Sequence, residues 1–167
     1  MIFTTKAEYG VRLLIELGRA QADDGARAPV SLKAIAEAEG LPLAYLERIV
    51  ALLKKAALVE SVRGAHGGYR LTRDPDEVTM DEVIVALEGP LAPMACFVDD
   101  RTDSRVLCSH EIDRGHGCAT KLLWTRVQGG VMKALAQTTL GQLVAFSGAG
   151  ILPSAPPSDS PMVTLHG

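Results

Sequence analysis

The stretch Leu58-Val59-Glu60-Ser61-Val62-Arg63-Gly64-Ala65-His66-Gly67-Gly68-Tyr69-Arg70-Leu71-Thr72 decides the fold. Residues 58–63 alternate in the manner of a half-buried strand. Residues 64–68 form a glycine-rich loop, and 69–72 read as the return strand. Two short strands around such a loop make a β-hairpin. Upstream, Ser31 is a good N-cap for a short helix over 32–38, Gly40 breaks it, and Pro42 opens a second helix over 43–55. Two short helices joined by a tight glycine-containing turn form a helix-turn-helix. A hairpin directly after it is the wing of a winged helix.

Working outward, residues 6–20 predict a first helix, with Val11, Leu14, Ile15 and Gly18 on its close-packing face. Residues 21–29 read as a polar turn. Asp74-Pro75 ends the hairpin, and Thr79 with Glu82 has the spacing of a capping box opening a helix over 80–87. Gly89-Pro90 stops that helix, and residues 91–117 show no clean period, a kind of stretch that is often functional. A long helix over about 119–137 follows, where Leu123, Val127, Val131 and Leu135 recur every four residues beside Trp124, a stripe wide enough to bury against a partner helix. Gly129-Gly130 weakens it by about 1 kcal/mol per glycine. Residues 139–144 read as a last short turn, and from Ser147 onward Ser, Pro and Gly dominate. The expected fold is mainly α with a small β-hairpin: a winged helix-turn-helix plus a long C-terminal dimerisation helix. The expected organisation is a DNA-binding domain over 1–90, a cysteine-bearing loop over 91–118, the dimerisation helix over 119–146 and a flexible tail over 147–167.

The 167 residues carry a net charge of −3, so a nucleic-acid partner has to be met by a local patch. Residues 44–73 hold Arg48, Lys54, Lys55, Arg63, Arg70 and Arg73 against Glu47 and Glu60, a local balance of +4. A helix-turn-helix places its second helix in the major groove. Ala44, Tyr45, Glu47 and Arg48 then face base edges, with Arg48 suited to guanine O6 and N7 and Glu47 to cytosine N4. Leu46, Ile49, Val50 and Leu53 have the spacing of the inward face, and Tyr45 serves either the core or the DNA backbone. Lys54 belongs to the patch, Arg63 is placed to enter a minor groove, and His66 sits in the wing loop where it suits a phosphate. Tyr69 completes the DNA-facing set. The same helix and hairpin pattern also occurs in protein-interaction modules. There is no nucleotide-binding loop, no Ser/His/Asp arrangement and no CxxC, so an enzyme is not expected. Residues 1–9 do not read as a signal peptide and no run approaches the ~18 apolar residues of a membrane span, so a cytoplasmic location is expected.

Cys96, Cys108 and Cys118 are separated by eleven and nine residues. An odd count makes a disulfide framework a poor explanation. Soft thiolate donors suit iron–sulfur clusters. Three of them leave one position to be completed, and His110 and His116, lying between the last two cysteines, offer nitrogen. Zinc is a competing reading, although the short C-x₂₋₄-C knuckle is missing. Burial as small apolar side chains is another.

Several runs resemble the Rrf2-type transcription regulators. Residues 6–14 (KAEYGVRLL) look like that family's opening helix, Leu43-Ala44-Tyr45-Leu46-Glu47-Arg48-Ile49 is similar to its recognition helix, and residues 58–71 match its wing. Residues 138–143 (TTLGQL) resemble the end of its long helix, so the likeness covers about residues 1–145. It implies a homodimer held by the long C-terminal helices, binding a palindromic operator in double-stranded DNA; the expected role is that of a repressor. It also implies that the three cysteines bind a [4Fe–4S] or [2Fe–2S] cluster through which redox, nitric oxide or iron–sulfur status is sensed. Glu8 stands where some cluster-binding relatives supply a carboxylate from the other subunit. Two departures stand out: the cysteines are more widely spaced than is common in the family, and position 12, a histidine ligand in one branch, is Arg12. The last ligand stays open among Glu8, His110, His116 and an exogenous group. The alternative is a family member without a cluster that uses thiol redox or a small-molecule signal.

Overall fold

The computed structural model describes residues 4–24, 28–64, 66–91 and 119–149. In chain order the elements are α1 (Thr5–Asp24), α2 (Leu32–Glu39), α3 (Leu43–Lys55), β1 (Val59–Val62), β2 (Gly68–Leu71), a 3₁₀ turn (Pro75–Glu77), α4 (Met80–Glu88), α5 (Ala119–Ala136) and α6 (Leu140–Ala149). The fold is mostly helical with one antiparallel two-stranded hairpin, as the sequence predicts.

Helix α1 is the plate on which the molecule is built. Helices α2, α3, α4 and α6 and strand β2 all pack against it. Its buried residues are Ala7, Gly10, Leu13, Leu14, Leu17 and Gly18, so of the expected face Leu14 and Gly18 are buried while Val11 and Ile15 are only half-buried. The buried face is therefore rotated from the one expected, because α1 is enclosed from several sides rather than lying on one surface. It also runs on to Asp24, through the first part of the expected polar turn. Leu13, Leu14 and Leu17 meet Ile35 of α2, Leu46, Ile49 and Leu53 of α3, Leu71 of β2, Val83 and Leu87 of α4 and Leu140 of α6 in one core. Truncating a leucine in such a core to alanine costs about 2–5 kcal/mol.

Two arginines of α1 hold the ends of other helices. Arg12 donates from Nε to Glu39 Oε2 at 2.6 Å and from Nη2 to the Glu39 carbonyl at 2.7 Å. Arg19 donates from Nε to Ser147 Oγ at 3.0 Å and from Nη2 to the Ser147 carbonyl at 3.1 Å. In each case a cation satisfies a carbonyl that the last turn of a helix leaves without an intrahelical partner.

The helix-turn-helix forms through the signals its sequence carries. Ser31 caps α2 by accepting from the Ala34 N–H at 3.1 Å. Gly40 ends α2 at φ 63°, a left-handed conformation that favours glycine. The hairpin register pairs Val59 with Leu71, Glu60 with Arg70, Ser61 with Tyr69 and Val62 with Gly68. It is pinned to the body by a bridge in which the Val30 and Tyr69 N–H groups each donate to the other residue's carbonyl at 2.8 Å.

The C-terminal part departs most from expectation. The expected short turn over 139–144 is the helix α6, which continues through Ala149, beyond the point where the tail was expected to begin. The capping box expected at Thr79 and Glu82 does not form: Thr79 makes no side-chain cap. Instead Thr79 bridges Thr139 in extended backbone, the Met80 N–H donates to the Thr138 carbonyl at 2.9 Å, and the Leu140 N–H donates to the Val78 carbonyl at 2.8 Å. An orphan N–H of α4 is thus satisfied from a distant segment, and the Glu82 carboxylate accepts from Arg73 at 2.8 Å. A capping box does form at the start of α6. There the Thr139 N–H donates to Gln142 Oε1 at 3.2 Å and the Gln142 N–H donates to Thr139 Oγ1 at 3.3 Å.

Gly68 lies against the backbone of Val30 so closely that a Cβ would clash with the Val30 carbonyl and stand 2.9 Å from the Ser31 nitrogen. Backbone atoms cannot swing aside as a side-chain tip can. Gly68→Ala is expected to lose about 1–3 kcal/mol of stability through this overpacking. The check is the midpoint of urea unfolding, and an unchanged midpoint would contradict the close packing of the wing.

Candidate nucleic-acid interface

Helix α3 separates its residues cleanly. Leu46, Ile49, Val50 and Leu53 are buried, as the spacing predicts. Leu43, Ala44, Glu47, Arg48, Ala51, Lys54 and Lys55 are exposed. At about 100° per residue, these seven positions occupy an arc of about 140° along one side of the helix. Leu43 and Ala51 belong to this face although the expected DNA-facing set omits them; they share the periodicity of Ala44, Glu47 and Arg48. The N-cap, Pro42, supplies no side-chain cap, and the first turn holds no acidic residue. This end of the helix therefore keeps its positive dipole unneutralised by its own side chains.

Tyr45 lies off that face. It is half-buried, with its ring edge-on to Tyr9 of α1 at 5.8 Å between centroids and 87° between planes. The Arg12 guanidinium lies 5.9 Å from the Tyr9 ring. Tyr45 thus joins α3 to α1.

The basic patch divides into engaged and open charges. Arg70 donates to Glu60 at 2.7 Å across the hairpin, and Arg73 is held by Glu82 at 2.8 Å. Lys54 Nζ donates to Ser61 Oγ at 3.1 Å and stands 5.9 Å over the Tyr69 ring, tying the end of α3 to the wing. Tyr69 itself is half-buried, with its backbone engaged by Val30. Arg48, Lys55 and Arg63 are exposed and have no ion-pair or hydrogen-bond partner among the described residues. Ion pairs at the surface are worth only about 0–1 kcal/mol, but they fix which cations remain open to an external anion.

The wing tip is a tight turn closed by the Gly67 N–H donating to the Gly64 carbonyl at 3.0 Å, with Gly64 at φ 125°. His66 is exposed in that turn, and Arg63 is exposed just beyond β1. Open cations thus stand on both the helix and the wing, the arrangement that a duplex needs if it is to be held at a groove and at the flanking phosphates.

Glu8 projects from the first turns of α1 with its side chain 64% exposed, 4.0 Å from Arg12 Nη1. Arg12 makes its short contacts to Glu39 instead. Cys96, Cys108, Cys118, His110 and His116 lie outside the described residues. Along α5 no residue is fully buried: of the expected apolar stripe, Leu123, Trp124 and Val127 are exposed, as is Leu122 beside them, whereas Val131 is half-buried and Leu135 packs against the core. Among the described residues no helix is long and apolar enough to cross a membrane.

The model of the Rrf2 family, described as iron-dependent transcriptional regulator, matches residues 3–145. The HTH-type transcriptional regulator CymR of Bacillus subtilis is 35% identical over 147 residues, covering 88% of this chain and 92% of that protein. The structure titled T. potens IscR superimposes with a TM-score of 0.68 at 31% identity, covering 92% and 93% of the two chains. The oxidized form of Staphylococcus aureus CymR gives a TM-score of 0.63 at 33% identity, covering 86% and 96%.

The division of the basic patch yields a direct expectation for duplex binding. Arg63→Ala and Lys55→Ala should each weaken binding across all sequences and reduce the slope of log affinity against log salt by about 0.9 for each phosphate no longer neutralised. Arg73→Ala, which removes a cation already held by Glu82, should leave the slope unchanged. Fluorescence anisotropy over a salt series reads both, and equal slopes for the three variants would refute the division.

Proposed function

The chain belongs to the Rrf2 family of transcriptional regulators, and on that premise we propose that it is a dimeric repressor reporting redox, nitric oxide or iron–sulfur status. The observation that carries the DNA-binding part is the exposed arc of α3, in which Arg48 and Lys55 are open, whereas Arg70 and Arg73 of the wing and the segment after it are held by Glu60 and Glu82. Ala44, Glu47 and Arg48 meet base edges in the major groove. Arg63 and His66 carry the wing to the minor groove and backbone. Lys54, Tyr45 and Tyr69 touch the backbone, Lys54 and Tyr69 while bracing helix against wing and Tyr45 while bracing α3 against α1. The reading unit spans 1–90.

The long helix expected over 119–146 is divided into α5 (Ala119–Ala136) and α6 (Leu140–Ala149), and α5 joins two copies. The apolar residues Leu123 and Val127, exposed within one chain, would be covered by the same helix of a second copy, and a palindromic operator then matches the twofold symmetry. Leu123→Glu combined with Val127→Glu is expected to give a monomer in sedimentation with much weaker operator binding. A dimer of undiminished affinity would contradict this interface.

The signal enters through the cysteine-bearing segment 91–118. Cys96, Cys108 and Cys118 supply three thiolates, and Glu8 fits as the carboxylate completing the set because its side chain is open and Arg12 is engaged by Glu39. Cys96, Cys108, Cys118 and Glu8 would hold a [4Fe–4S] or [2Fe–2S] cluster, which would supply iron open to oxidants and nitric oxide. The segment follows directly on α4, which packs against both α1 and α3. Movement of the segment therefore shifts α4 and with it the spacing of the two reading helices, to which paired half-sites are sensitive.

Anaerobic purification followed by an absorbance spectrum and iron and sulfide counts tests the cluster. Iron and acid-labile sulfide should be present in the wild type, absent from the Cys96→Ala, Cys108→Ala, Cys118→Ala triple variant, and lowered in Glu8→Ala. A colourless, iron-free wild type would refute it. The oxidized S. aureus CymR structure favours one second reading, in which the same thiols respond to oxidants without a cluster. Operator release by peroxide that the triple variant abolishes, from an iron-free protein, is the signature of that alternative.

A further inference from the structure

We infer that Leu43 and Ala44 form an apolar reader for the 5-methyl group of thymine, set one helical turn ahead of Glu47 and Arg48; this rests on the assignment of α3 as the helix that enters the major groove.

Leu43 is 38% exposed at the very start of α3, and Ala44 beside it is exposed as well. Neither side chain has a donor or an acceptor. Among the described residues the other exposed large apolar side chains are Val85 on α4, four on α5 and Phe146 on α6, so Leu43 is the outlier in the helix-turn-helix. A protein partner does not account for it, because the core of a protein interface is depleted of charge. Leu43 shares its face with Glu47, Arg48, Lys54 and Lys55.

In a reading helix the N-terminal turn reaches the base edges. The first turn here carries no acidic residue to repel phosphate, and Pro42 adds no capping side chain that would stand between the turn and the DNA. Of the groups that base pairs present in the major groove, the thymine C5-methyl is the apolar one. An exposed leucine and alanine in that position can gain free energy by covering a methyl group, whereas an unmethylated pyrimidine or a purine N7 offers them no apolar surface to cover. At 1.5 Å rise per residue, Glu47 and Arg48 sit about 6 Å further along the helix axis, within about two base-pair steps of the methyl contact. The face therefore reads a thymine close to the base pair addressed by Glu47 and Arg48.

The test uses the full chain and a pool of random double-stranded 30-mers. Bound duplexes are enriched, and each thymine of the resulting consensus is replaced singly by deoxyuridine. That change removes the methyl group and leaves base pairing and the O4 acceptor intact. One thymine near the base pair whose identity Arg48→Ala relaxes should weaken binding about fourfold when demethylated, the equivalent of burying one methyl group. The other thymines should respond little. The Leu43→Ser, Ala44→Ser double variant, changed only at exposed positions, should bind the thymine and uracil duplexes equally. A uniform response to uracil at every thymine, or a penalty that persists in the double variant, overturns the methyl reader and leaves the reading helix standing. Failure to enrich any sequence overturns both, and is distinguishable because no consensus then exists.

Discussion

The apolar side of α1 is the surface on which the rest of the described structure assembles. Leu13, Leu14 and Leu17 bury against α2, α3, β2, α4 and α6 at once, so none of these elements has a core of its own. Arg12 and Arg19 add direction to that burial: one holds the end of α2 at Glu39, the other the end of α6 at Ser147. Apolar burial is non-directional, whereas a guanidinium fork accepts only narrow geometries. The combination fixes both how tightly α2 packs and where it ends, and the position of α3 follows from the turn after Glu39.

With α3 placed, its polar arc has to face away from α1. The hairpin is then set by two ties of different kinds, the Val30–Tyr69 backbone bridge on one side and the Lys54–Ser61 contact on the other. Internal ion pairs consume Arg70 and Arg73, which leaves Arg48, Lys55 and Arg63 as the open cations. A chain of net charge −3 thereby presents a positive surface where helix and wing stand side by side. The electrostatics needed for DNA come from the distribution of charge, not from its total.

The C-terminal helices return to this body instead of leaving it. Leu140 is fully buried, and Thr138 and Leu140 exchange backbone hydrogen bonds with the segment that opens α4. Helix α5 thus springs from an anchored base, with Leu135 against the core, while Leu122, Leu123, Trp124 and Val127 nearer its start stay open. A motion of α4 is felt at once by α1, α3 and α5, since it packs against all three. Under the function proposed above, that placement would make α4 the relay between the segment that follows it and the spacing of the reading helices.

Much of this was legible in the sequence. The helix-turn-helix, the hairpin, the Ser31 cap, the Gly40 stop and the inward face of α3 depend on residues within about four positions of each other, and local periodicity and capping chemistry report them directly. The same local grammar misassigned the capping box, because T-x-x-E at Thr79 and T-x-x-Q at Thr139 look equally competent, but Arg73 holds the Glu82 carboxylate while Thr139 and Gln142 pair with each other. The buried face of α1, the end of α6 and the identity of the free cations were likewise settled by partners far away in the chain, up to 128 residues for Arg19 and Ser147. Sequence determined the kind of molecule, since period and caps are short-range. Tertiary structure decided which charges and apolar groups remain available to act, because availability depends on every neighbour that packing brings near.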